Sequence, residues 1–385
     1  NNKRLFGENF MYRVWIGKRE SDILTCEYFD FSITFYGSNK TRNISFCQEN
    51  RLVSNYGPEF TRFVLKNIGV KIKEHGTNCE FHFYNSIFAY KLCEINPSLK
   101  RYFVSLNSQS SINFLRHKTL SRLWLSNDIN TPAFAALSLS ECTINNLTKK
   151  FGKFKEFVIQ KNCSGGGTGT YLLNDVSEKD IHKQLPNDQL YLVSPYYTGY
   201  KDYSCHIIVD SSAFVILAIS KQTIINDRNN LIYHGNQYCN PNDIESKKIL
   251  LTANLLAKKL QAIGYRGICG ADFIMNDKEA ILIELNPRYL GSSFAINYAL
   301  QKNSLPSLFE ISKICFQNKL NSLDLNKISN VHLSIANNCY FYNDNDITAL
   351  KKMLTQPNVI IYDDGCLSAT TFDYNAYICR ALILL

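Results

Sequence analysis

The hydrophobic pattern of the first 110 residues alternates between strand-like runs and a helix-compatible stretch. The runs "MYRVWIG" and "CEFHFY" are rich in β-branched and aromatic residues, whereas "PEFTRFVLKNIG" carries apolar residues at helical spacing. Alternating short strands and helices are typical of a small α/β domain. We therefore expect an N-terminal α/β domain over residues 1–110.

A longer central region, residues 111–325, opens with a helical pattern. The apolar residues of "INFLRHKTLSRLWL" recur at helical spacing, which predicts one amphipathic helix that ends before Pro132. The mostly polar residues 221–236 are predicted to form a loop. The remaining elements predicted for this region are strands on both sides of "NCSGGGTG", the helix "SEKDIHKQL", the strand "QLYLVSPYY", two strands between residues 204 and 220, a helix over 244–263 and a strand pair over 268–285.

The last part of the chain, residues 326–385, predicts a small separate element. The segments "VHLSIA", "DITALKKML" and "NVIIY" follow one another as a strand, a helix and a strand. No internal repeat is visible along the chain. The sequence therefore predicts three parts, with boundaries near residues 110 and 325.

The strand pair around residues 268–285 carries the acids that most strongly suggest chemistry. A reversal near Lys278 pairs Asp272 with Glu284, because the residue numbers of an antiparallel pair sum to a constant. Side-chain alternation then places Asn286 on the same face as Glu284. Two carboxylates and a carboxamide oxygen are hard ligands that suit Mg²⁺. The sequence therefore predicts a magnesium site on this hairpin.

An edge strand with solvent-facing acids is the alternative interpretation of this hairpin. Glu284, however, stands inside the apolar run "AILIEL", where a charge needs a partner or a metal. Arg288 follows closely, and its planar guanidinium is suited to an anionic intermediate or a carboxylate substrate. These neighbours favour the metal site over the solvent-facing strand.

A glycine-rich segment, "FVIQKNCSGGGTGTYLL" over residues 157–173, fits neither of two familiar phosphate-binding motifs. It lacks the lysine that follows the last glycine of a Walker loop, and its glycine spacing differs from that of a dinucleotide fingerprint. Strand-forming residues flank the glycines, so the segment is predicted to be the tip of an antiparallel hairpin. Glycine backbone N–H groups beside Lys161 would bind an anion. A flexible glycine turn with a solvent-exposed lysine is the alternative.

Composition narrows the functional class. The 385 residues are 45% hydrophobic and carry a net charge of +9 that is spread along the chain, without a nucleic-acid-binding motif. No apolar run reaches the roughly 18 residues that a membrane span needs. The 13 cysteines are scattered without zinc-binding spacing, which favours reduced thiols in a cytoplasmic setting. We therefore expect a globular protein with no nucleic-acid or membrane partner.

The order of these segments resembles the ATP-grasp superfamily, closest to its carboxylate–amine ligase branch. The resemblance covers roughly residues 111–300, through "RHKTLSRLWL", "VIQKNCSGGGTGTYL", "LVSPYYTGYKDYSCHIIV" and "GADF…ILIELNPR". The flanking parts further resemble those of peptide ligases of the pheganomycin type. The resemblance implies an α/β protein with an ATP-grasp fold, an N-terminal pre-ATP-grasp domain, a lid subdomain over about 130–195 and a small C-terminal element.

The resemblance also implies roles for individual residues in phosphate binding. Lys118 and Lys161 match the two lysines that contact ATP phosphates, and Lys161 also lies near the adenine. Asp272, Glu284 and Asn286 match the magnesium ligands, the first being aspartate where many relatives have glutamate. The residues that match the mobile lid hairpin over the β- and γ-phosphates are Ser164, Gly165, Gly166, Gly167 and Gly169.

Further positions match the nucleoside and substrate contacts of the family. The adenine hinge matches Ser194, Tyr196 and Tyr197, and the ribose-binding acid, usually glutamate, falls near Asp202. One extra residue after Gly199 disturbs that last alignment. Arg288 matches the arginine that steadies an acyl-phosphate. Residues matching γ-phosphate or substrate contacts, for which a solvent-facing role is the alternative, are Lys221, Arg228 and His234.

The resemblance implies an ATP-dependent ligase that forms a C–N bond through an acyl-phosphate and releases ADP and phosphate. Its cofactors would be ATP and two Mg²⁺ ions, with Mn²⁺ as a substitute, and its substrates a small carboxylate and an amine such as an amino acid or peptide. It also allows a homodimer. A phosphotransferase on the same scaffold, a nucleotide-binding protein without turnover and an enzyme of an unrelated α/β fold are the alternatives.

Overall fold

A computed structural model of the chain describes residues 11–38, 42–47, 57–164, 169–239, 243–331, 333–364 and 376–385. The strands are β1 Tyr12–Arg19, β2 Phe31–Tyr36, β3 Asn43–Ser45, β4 Cys79–Phe83, β5 Ala135–Ser138, β6 Phe157–Lys161, β7 Thr170–Leu173, β8 Leu190–Pro195, β9 Lys201–Val209, β10 Phe214–Ile216, β11 Ser220–Asp227, β12 Asn230–Tyr238, β13 Gly267–Met275, β14 Ala280–Asn286, β15 Ile335–Phe341, β16 Val359–Tyr362 and β17 Tyr377–Leu384. The α-helices are α1 Pro58–His75, α2 Ser86–Ile95, α3 Gln109–Arg116, α4 Lys118–Leu125, α5 Ile144–Phe151, α6 Glu178–Gln184, α7 Ile244–Ala262, α8 Ser293–Lys302, α9 Leu308–Phe316, α10 Leu325–Ser329 and α11 Asp344–Met353.

The chain divides into two compact units. The first comprises residues 1–106, 293–313 and 339–382, and the second comprises residues 107–292, 314–338 and 383–385. Within the described ranges, no helix combines the length and the apolar character that crossing a bilayer requires. The three-part division at residues 110 and 325 stays a prediction.

The first unit is built around a parallel sheet with the strand order β3-β2-β1-β4. Val14 pairs with Phe31 on one side and Phe81 on the other, and these apolar side chains form a core with α1 and α2. Helix α1 begins with Pro58 as its first residue and ends at Gly76, whose φ of 62° suits a glycine. The predicted N-terminal strands and helix therefore form.

A buried group of charged side chains lies within the first unit. Arg380 on β17 is 0% exposed, and it donates hydrogen bonds to the Asp22 carboxylate at 2.8 Å and to the Ser21 hydroxyl at 2.7 Å. Asp364 accepts from the Ser21 hydroxyl and from Tyr377, both at 2.6 Å. A buried ion pair loses water that must be replaced by such hydrogen bonds. Strand β17 is thereby tied to the segment that follows β1.

The second unit is built around an antiparallel sheet whose described strands run in the order β14-β13-β9-β11-β12-β7-β6-β8-β5. Strands β6 and β7 pair as the predicted glycine hairpin, with Phe157 opposite Leu173. The predicted helix over 244–263 and the predicted strand pair over 268–285 are also confirmed, as α7 and as β13 with β14. The candidate site residues that the structure describes lie on this sheet, on the segments that follow its strands, or, for Lys118, on helix α4.

Two sequence predictions in this unit were wrong. The predicted single helix over "INFLRHKTLSRLWL" is two helices, α3 and α4, and they separate at His117, whose ring nitrogen accepts from the N–H of Leu120. Leu120 and Leu123, expected on the buried face, are 44% and 60% exposed. Because α4 begins again at Lys118, its buried face differs from the one that a continuous helix would have. Lys118 lies on this buried face, and Leu120 and Leu123 do not.

Residues 221–236, predicted as a loop, form most of the hairpin of β11 and β12. Its two-residue turn has positive φ at Arg228 and Asn229, which is the conformation of a tight hairpin turn. The sequence pattern did not predict this hairpin because both of its strands carry a polar face. At the other end of the chain, the strand predicted over "VHLSIA" begins only at Ile335, and β17 was not predicted.

Candidate active site in the second unit

The acidic pair lies on β13 and β14, where Asp272 is directly opposite Glu284. This pairing confirms the sequence prediction. Nearer the turn, however, Phe273 is opposite Leu282. Ile283 is therefore an extra residue on β14, with no residue of β13 directly opposite it, and it forms a β-bulge. The two halves of the hairpin therefore have registers that differ by one residue.

The bulge decides which face Glu284 occupies. If the register near the turn continued, Asp272 would be opposite Ile283, and the Glu284 side chain would point to the other face of the sheet. A one-residue slip moves a side chain across a sheet because the side-chain period is two. With the extra residue at Ile283, Glu284 and Asp272 lie on the same face.

Short hydrogen bonds and an ion pair connect five of the predicted site residues in two groups, and the pairing of Asp272 with Glu284 brings the two groups together. The Lys118 ammonium donates to Glu284 Oε2 at 2.6 Å. The Asn286 amide nitrogen donates to Asp272 Oδ2 at 2.8 Å. Arg288 in turn donates to Asn286 Oδ1 at 2.9 Å. The structure therefore brings together the two acids, the amide, one lysine and the arginine that the sequence singled out.

The electrostatics of this group favour a bound cation. Burial raises the pKa of Asp272, and the nearby Glu284 charge raises it further, although Arg288 and Lys118 partly oppose this rise. Two neighbouring carboxylates repel each other when both are ionised. A positive charge placed between them would relieve that repulsion, and Lys118 now supplies part of it.

The donor set fits Mg²⁺. Asp272 and Glu284 contribute carboxylate oxygens, and Asn286 contributes an amide oxygen after a half-turn of the amide group, which exchanges its nitrogen and oxygen positions. Across the described part of the chain, no three His, Cys, Asp or Glu side chains cluster as a metal site of their own. The third protein ligand here is thus the amide rather than a further acid.

Lys161 lies at the end of β6, beside the glycine segment. Its N–H donates to the Gly169 carbonyl at 2.9 Å, and its own carbonyl accepts from the Ser164 hydroxyl at 3.2 Å. Gly169 has a φ of +77°, and a Cβ at this position would come within 2.9 Å of Lys161 Cδ. The predicted loop residues Gly165, Gly166 and Gly167 lie outside the described residues.

The predicted nucleoside contacts lie on β8, β9 and the segment between them. Ser194 is buried on β8, and the Tyr197 ring packs against Phe154 at a centroid distance of 5.6 Å. Asp202 is on β9, opposite Ile274, and burial raises its pKa to about 6. The segment between the strands contains a turn, in which the Tyr200 N–H donates to the Tyr197 carbonyl, and the Tyr196 N–H donates to the Glu156 carbonyl.

Lys221, Arg228 and His234 are not brought to the acids as a group. Lys221 is exposed and opposite Tyr203, one residue out of phase with the Ser204–Asp272 pair, so it lies on the other face of the sheet. Arg228 is exposed at the tip of the β11–β12 hairpin. His234 is 9% exposed and is the extra residue of a bulge on β12.

Sequence reasoning missed a polar row beside Asp272. Gln222 Nε2 donates to Asp272 Oδ1 at 3.2 Å, and Asn236 donates to the hydroxyls of Ser220 and Ser204 at 2.7 and 3.2 Å. Interpreting residues 220–227 as a strand would have found them, because Ser220 and Gln222 then alternate with Lys221 onto the face of Asp272.

Arg122 was also missed, although it is on the same helix as Lys118. It is 4% exposed, and its guanidinium donates to the Ile283 carbonyl at 2.6 Å. Burial lowers its pKa to about 10, against the opposing effect of the Glu284 charge. An arginine four residues after a lysine is common on solvated helices, so spacing alone does not predict this contact.

The second unit therefore combines an antiparallel sheet that carries two acids and an amide with a helix that brings a buried lysine to one of those acids. Comparison with known protein families finds one match in this region: residues 115–292 match the ATP-grasp domain. The chain therefore contains an ATP-grasp domain, and its fold is the ATP-grasp fold.

Solved structures support the same fold. Carboxyaminoimidazole ribonucleotide synthase from Aspergillus clavatus, complexed with ATP, matches with a TM-score of 0.65 and 12% identity over 98% of this chain and 94% of its own. The biotin carboxylase domain of 2-oxoglutarate carboxylase from Hydrogenobacter thermophilus, with MgADP, ADP and bicarbonate, matches with a TM-score of 0.66 and 12% identity over 98% and 86%. No curated protein sequence matches the chain.

Proposed function

We propose that the protein is an ATP-dependent carboxylate–amine ligase. The observation that carries this proposal is a cluster of five side chains within an ATP-grasp domain. Lys118 binds Glu284, and Asn286 is hydrogen-bonded to both Asp272 and Arg288. A protein that only bound nucleotide would have no need for two carboxylates held together on one face. The finer match to peptide ligases of the pheganomycin type, a cytoplasmic location and a homodimer belong to the same proposal.

The nucleotide is held by residues from several strands of the second unit. Lys118, Lys161 and the backbone N–H groups of Ser164–Gly169 bind the phosphates, with Gly165, Gly166 and Gly167 among them. Ser194, Tyr196 and Tyr197 bind the adenine through their backbone, and Asp202 binds the ribose hydroxyls. Mg²⁺, two ions in all, is held by Asp272, Glu284 and Asn286, with Mn²⁺ as a substitute.

Bound Mg–ATP supplies the phosphoryl group that converts the substrate carboxylate into an acyl-phosphate, and amine attack then forms the amide and releases phosphate. The protein's part is electrostatic and positional. Lys118 is held by Glu284 at the phosphate end of the site, and Arg288 lies beside Asn286, where it would meet the negative charge of the acyl-phosphate. Lys221, Arg228 and His234 are assigned to the substrate side, although Lys221 would have to reach the site from the opposite face of the sheet.

We assign the substrates to a small carboxylate and an amine, with an amino acid or peptide as the first class to test. The solved relatives are named for other substrates, such as an aminoimidazole ribonucleotide and bicarbonate. At 12% identity, likeness of fold does not transfer those substrates to this chain.

An incubation with Mg-ATP, pooled amino acids and short peptides, and hydroxylamine tests the proposed reaction. ADP and phosphate should rise together, and a hydroxamate should be trapped whose mass identifies the acid. ADP formation without phosphate would instead establish a phosphotransferase. Absence of Mg-ATP binding at millimolar concentrations would contradict the proposal as a whole.

A Gly169→Ala substitution tests whether Lys161 contacts the nucleotide. The new Cβ would meet Lys161 Cδ at 2.9 Å, so the lysine side chain must move. We expect ADP affinity to fall roughly tenfold, near the lower limit for loss of a charged hydrogen bond. Isothermal titration calorimetry measures this change.

Gly152→Ala is the matched control for that substitution. Gly152 has the same φ of +77°, but nothing lies within 4 Å of a Cβ added there. Both variants place an alanine at positive φ, which should cost roughly 1–3 kcal/mol of stability, while only Gly169→Ala should weaken ADP binding. Equal ADP affinity in the two variants would remove Lys161 from the nucleotide site.

A further inference from the structure

We propose that Arg122 is a positioning residue that fixes the β-bulge at Ile283 and thereby holds Glu284 opposite Asp272. This inference rests on the proposed function, because it concerns the metal-binding acids. It adds a residue that the resemblance to ATP-grasp enzymes did not assign.

Strand β14 is the edge strand of the sheet, so its outer backbone groups have no neighbouring strand. One of these groups, the Leu282 N–H, donates to the carbonyl of Asn130 in the segment before β5 at 2.9 Å. Another, the Ile283 carbonyl, accepts a 2.6 Å hydrogen bond from the Arg122 side chain. A side chain thus replaces the ladder partner at the one residue that is out of register.

The bulge is the feature that makes the acidic pair. Near the turn, Met275 pairs with Ala280 and Phe273 pairs with Leu282. If that register continued, Glu284 would lie on the face of the sheet opposite to Asp272. The extra residue at Ile283 moves Glu284 to the same face as Asp272. Bulges often re-aim a side chain beside an active site. A hydrogen bond that favours the bulged conformation therefore also favours the metal-binding arrangement.

Helix α4 couples this bulge to Glu284 itself. Lys118 and Arg122 are four residues apart and lie on the same buried face of the helix. Lys118 binds the Glu284 side chain, and Arg122 binds the backbone carbonyl of the preceding residue. One helix face therefore fixes both the backbone and the side chain of this acid.

The Arg122 guanidinium lies beside a small cavity that Glu284 also lines. Arg122, Glu284 and Ile283 together line this cavity of about 10 Å³ between α4 and β14. The Nη1 atom of Arg122 is buried and has no hydrogen-bond partner among the described residues, and the cavity has room for about one water molecule.

An Arg122→Met variant, which keeps most of the side-chain volume but loses the donors, tests the proposal. Mn²⁺ binding to the ADP complex is measured by electron paramagnetic resonance, and ADP binding in EDTA by calorimetry. We expect Mn²⁺ affinity to fall about 10- to 100-fold, as when the supporting partners of metal ligands are lost. Metal-free ADP affinity should stay within about twofold, as for a substitution outside a contact.

Arg122→Lys and Arg116→Met complete the series. The lysine keeps a charge and one donor, so its Mn²⁺ affinity should lie between those of the wild type and the methionine variant. Arg116, on the neighbouring helix α3, should change neither affinity. If the methionine variant does not fold, the Arg122→Lys variant alone tests the positioning role, and it should bind Mn²⁺ more weakly than the wild type.

The possible failures can be distinguished. Wild-type Mn²⁺ affinity in Arg122→Met, or in Arg122→Lys where only that variant folds, would overturn the positioning role. A parallel loss of metal-free ADP binding would also overturn it, because that result indicates direct nucleotide contact or general disruption. If the wild type itself showed no metal-dependent ADP binding, the proposed function would fail instead.

Discussion

The Glu284→Gln variant is expected to stay folded and to lose at least about 10²-fold in turnover, the usual cost of removing a group that stabilises charge in a transition state. Glutamine keeps the shape of the side chain and an oxygen acceptor for the Lys118 ammonium, which lies 2.6 Å from Glu284 Oε2. It removes the negative charge that a divalent cation requires. The loss should therefore appear in catalysis and in metal binding rather than in folding.

The measurement compares steady-state ADP release, with the acid identified by hydroxamate trapping, against thermal unfolding of the same preparation. Glu279→Gln is the matched control, because Glu279 is in the same hairpin but accepts hydrogen bonds from Tyr200 and Asn130 near the turn. Its turnover should stay near that of the wild type. An unchanged rate in Glu284→Gln would remove this residue from the metal site.

The pairing of the two acids was predictable from the sequence, but its cause was not. Numbers in an antiparallel pair sum to a constant, and a reversal near Lys278 gave Asp272 opposite Glu284. In the structure the pairs near the turn sum to one less, as in Phe273 with Leu282, and the bulge restores the predicted sum. A bulge depends on contacts from outside the hairpin, here from Arg122, so local pattern does not reveal it.

Interpretations that rested on side-chain polarity were the least successful. Because one face of the β11–β12 hairpin carries Gln222, Asn236 and other polar residues, the sequence pattern there predicts a loop. Those residues are polar because they line the face of the sheet that also carries Asp272. A row of polar side chains beside a charged site thus gives the same pattern as a solvated loop.

The break between α3 and α4 also depends on interactions that a hydrophobic pattern does not contain. His117 caps the new helix with its own side chain, and the Lys118 N–H donates to the carbonyl of Asn162. The burial of Lys118 becomes favourable only because Glu284 is within hydrogen-bonding distance. Helical spacing alone favours the continuous helix with Leu120 and Leu123 inside.

Replacing Arg380 by leucine is expected to destabilise the first unit by about 3–5 kcal/mol, the usual cost of removing one partner of a buried ion pair. Arg380 is 0% exposed, and its loss leaves the Asp22 carboxylate, 5% exposed, without its cation. Ser21 would lose a hydrogen bond as well. That cost is a large part of the 5–15 kcal/mol by which domains are ordinarily stable.

Urea unfolding followed by Trp15 fluorescence measures this effect in the first unit, because Trp15 is fully buried there. The second tryptophan, Trp124, belongs to the second unit and is removed by a Trp124→Phe background substitution. Arg62→Leu is the control, since its ion pair with Glu59 is exposed and should contribute about 0–1 kcal/mol. A loss in Arg380→Leu no larger than in the control would show that the buried pair is not stabilising.

Adding Asp22→Leu to Arg380→Leu separates two explanations for such a loss. If the destabilisation comes from the unpaired Asp22 charge, removing that charge should restore part of the stability, because buried ion pairs can often be replaced by apolar groups at little cost. If it comes from a cavity or from the lost contact of the guanidinium with the Phe294 ring, whose centroid lies 3.8 Å from the guanidinium carbon, the second substitution should add to the first. The sign of the coupling between the two substitutions therefore identifies the dominant interaction that β17 makes with the segment after β1.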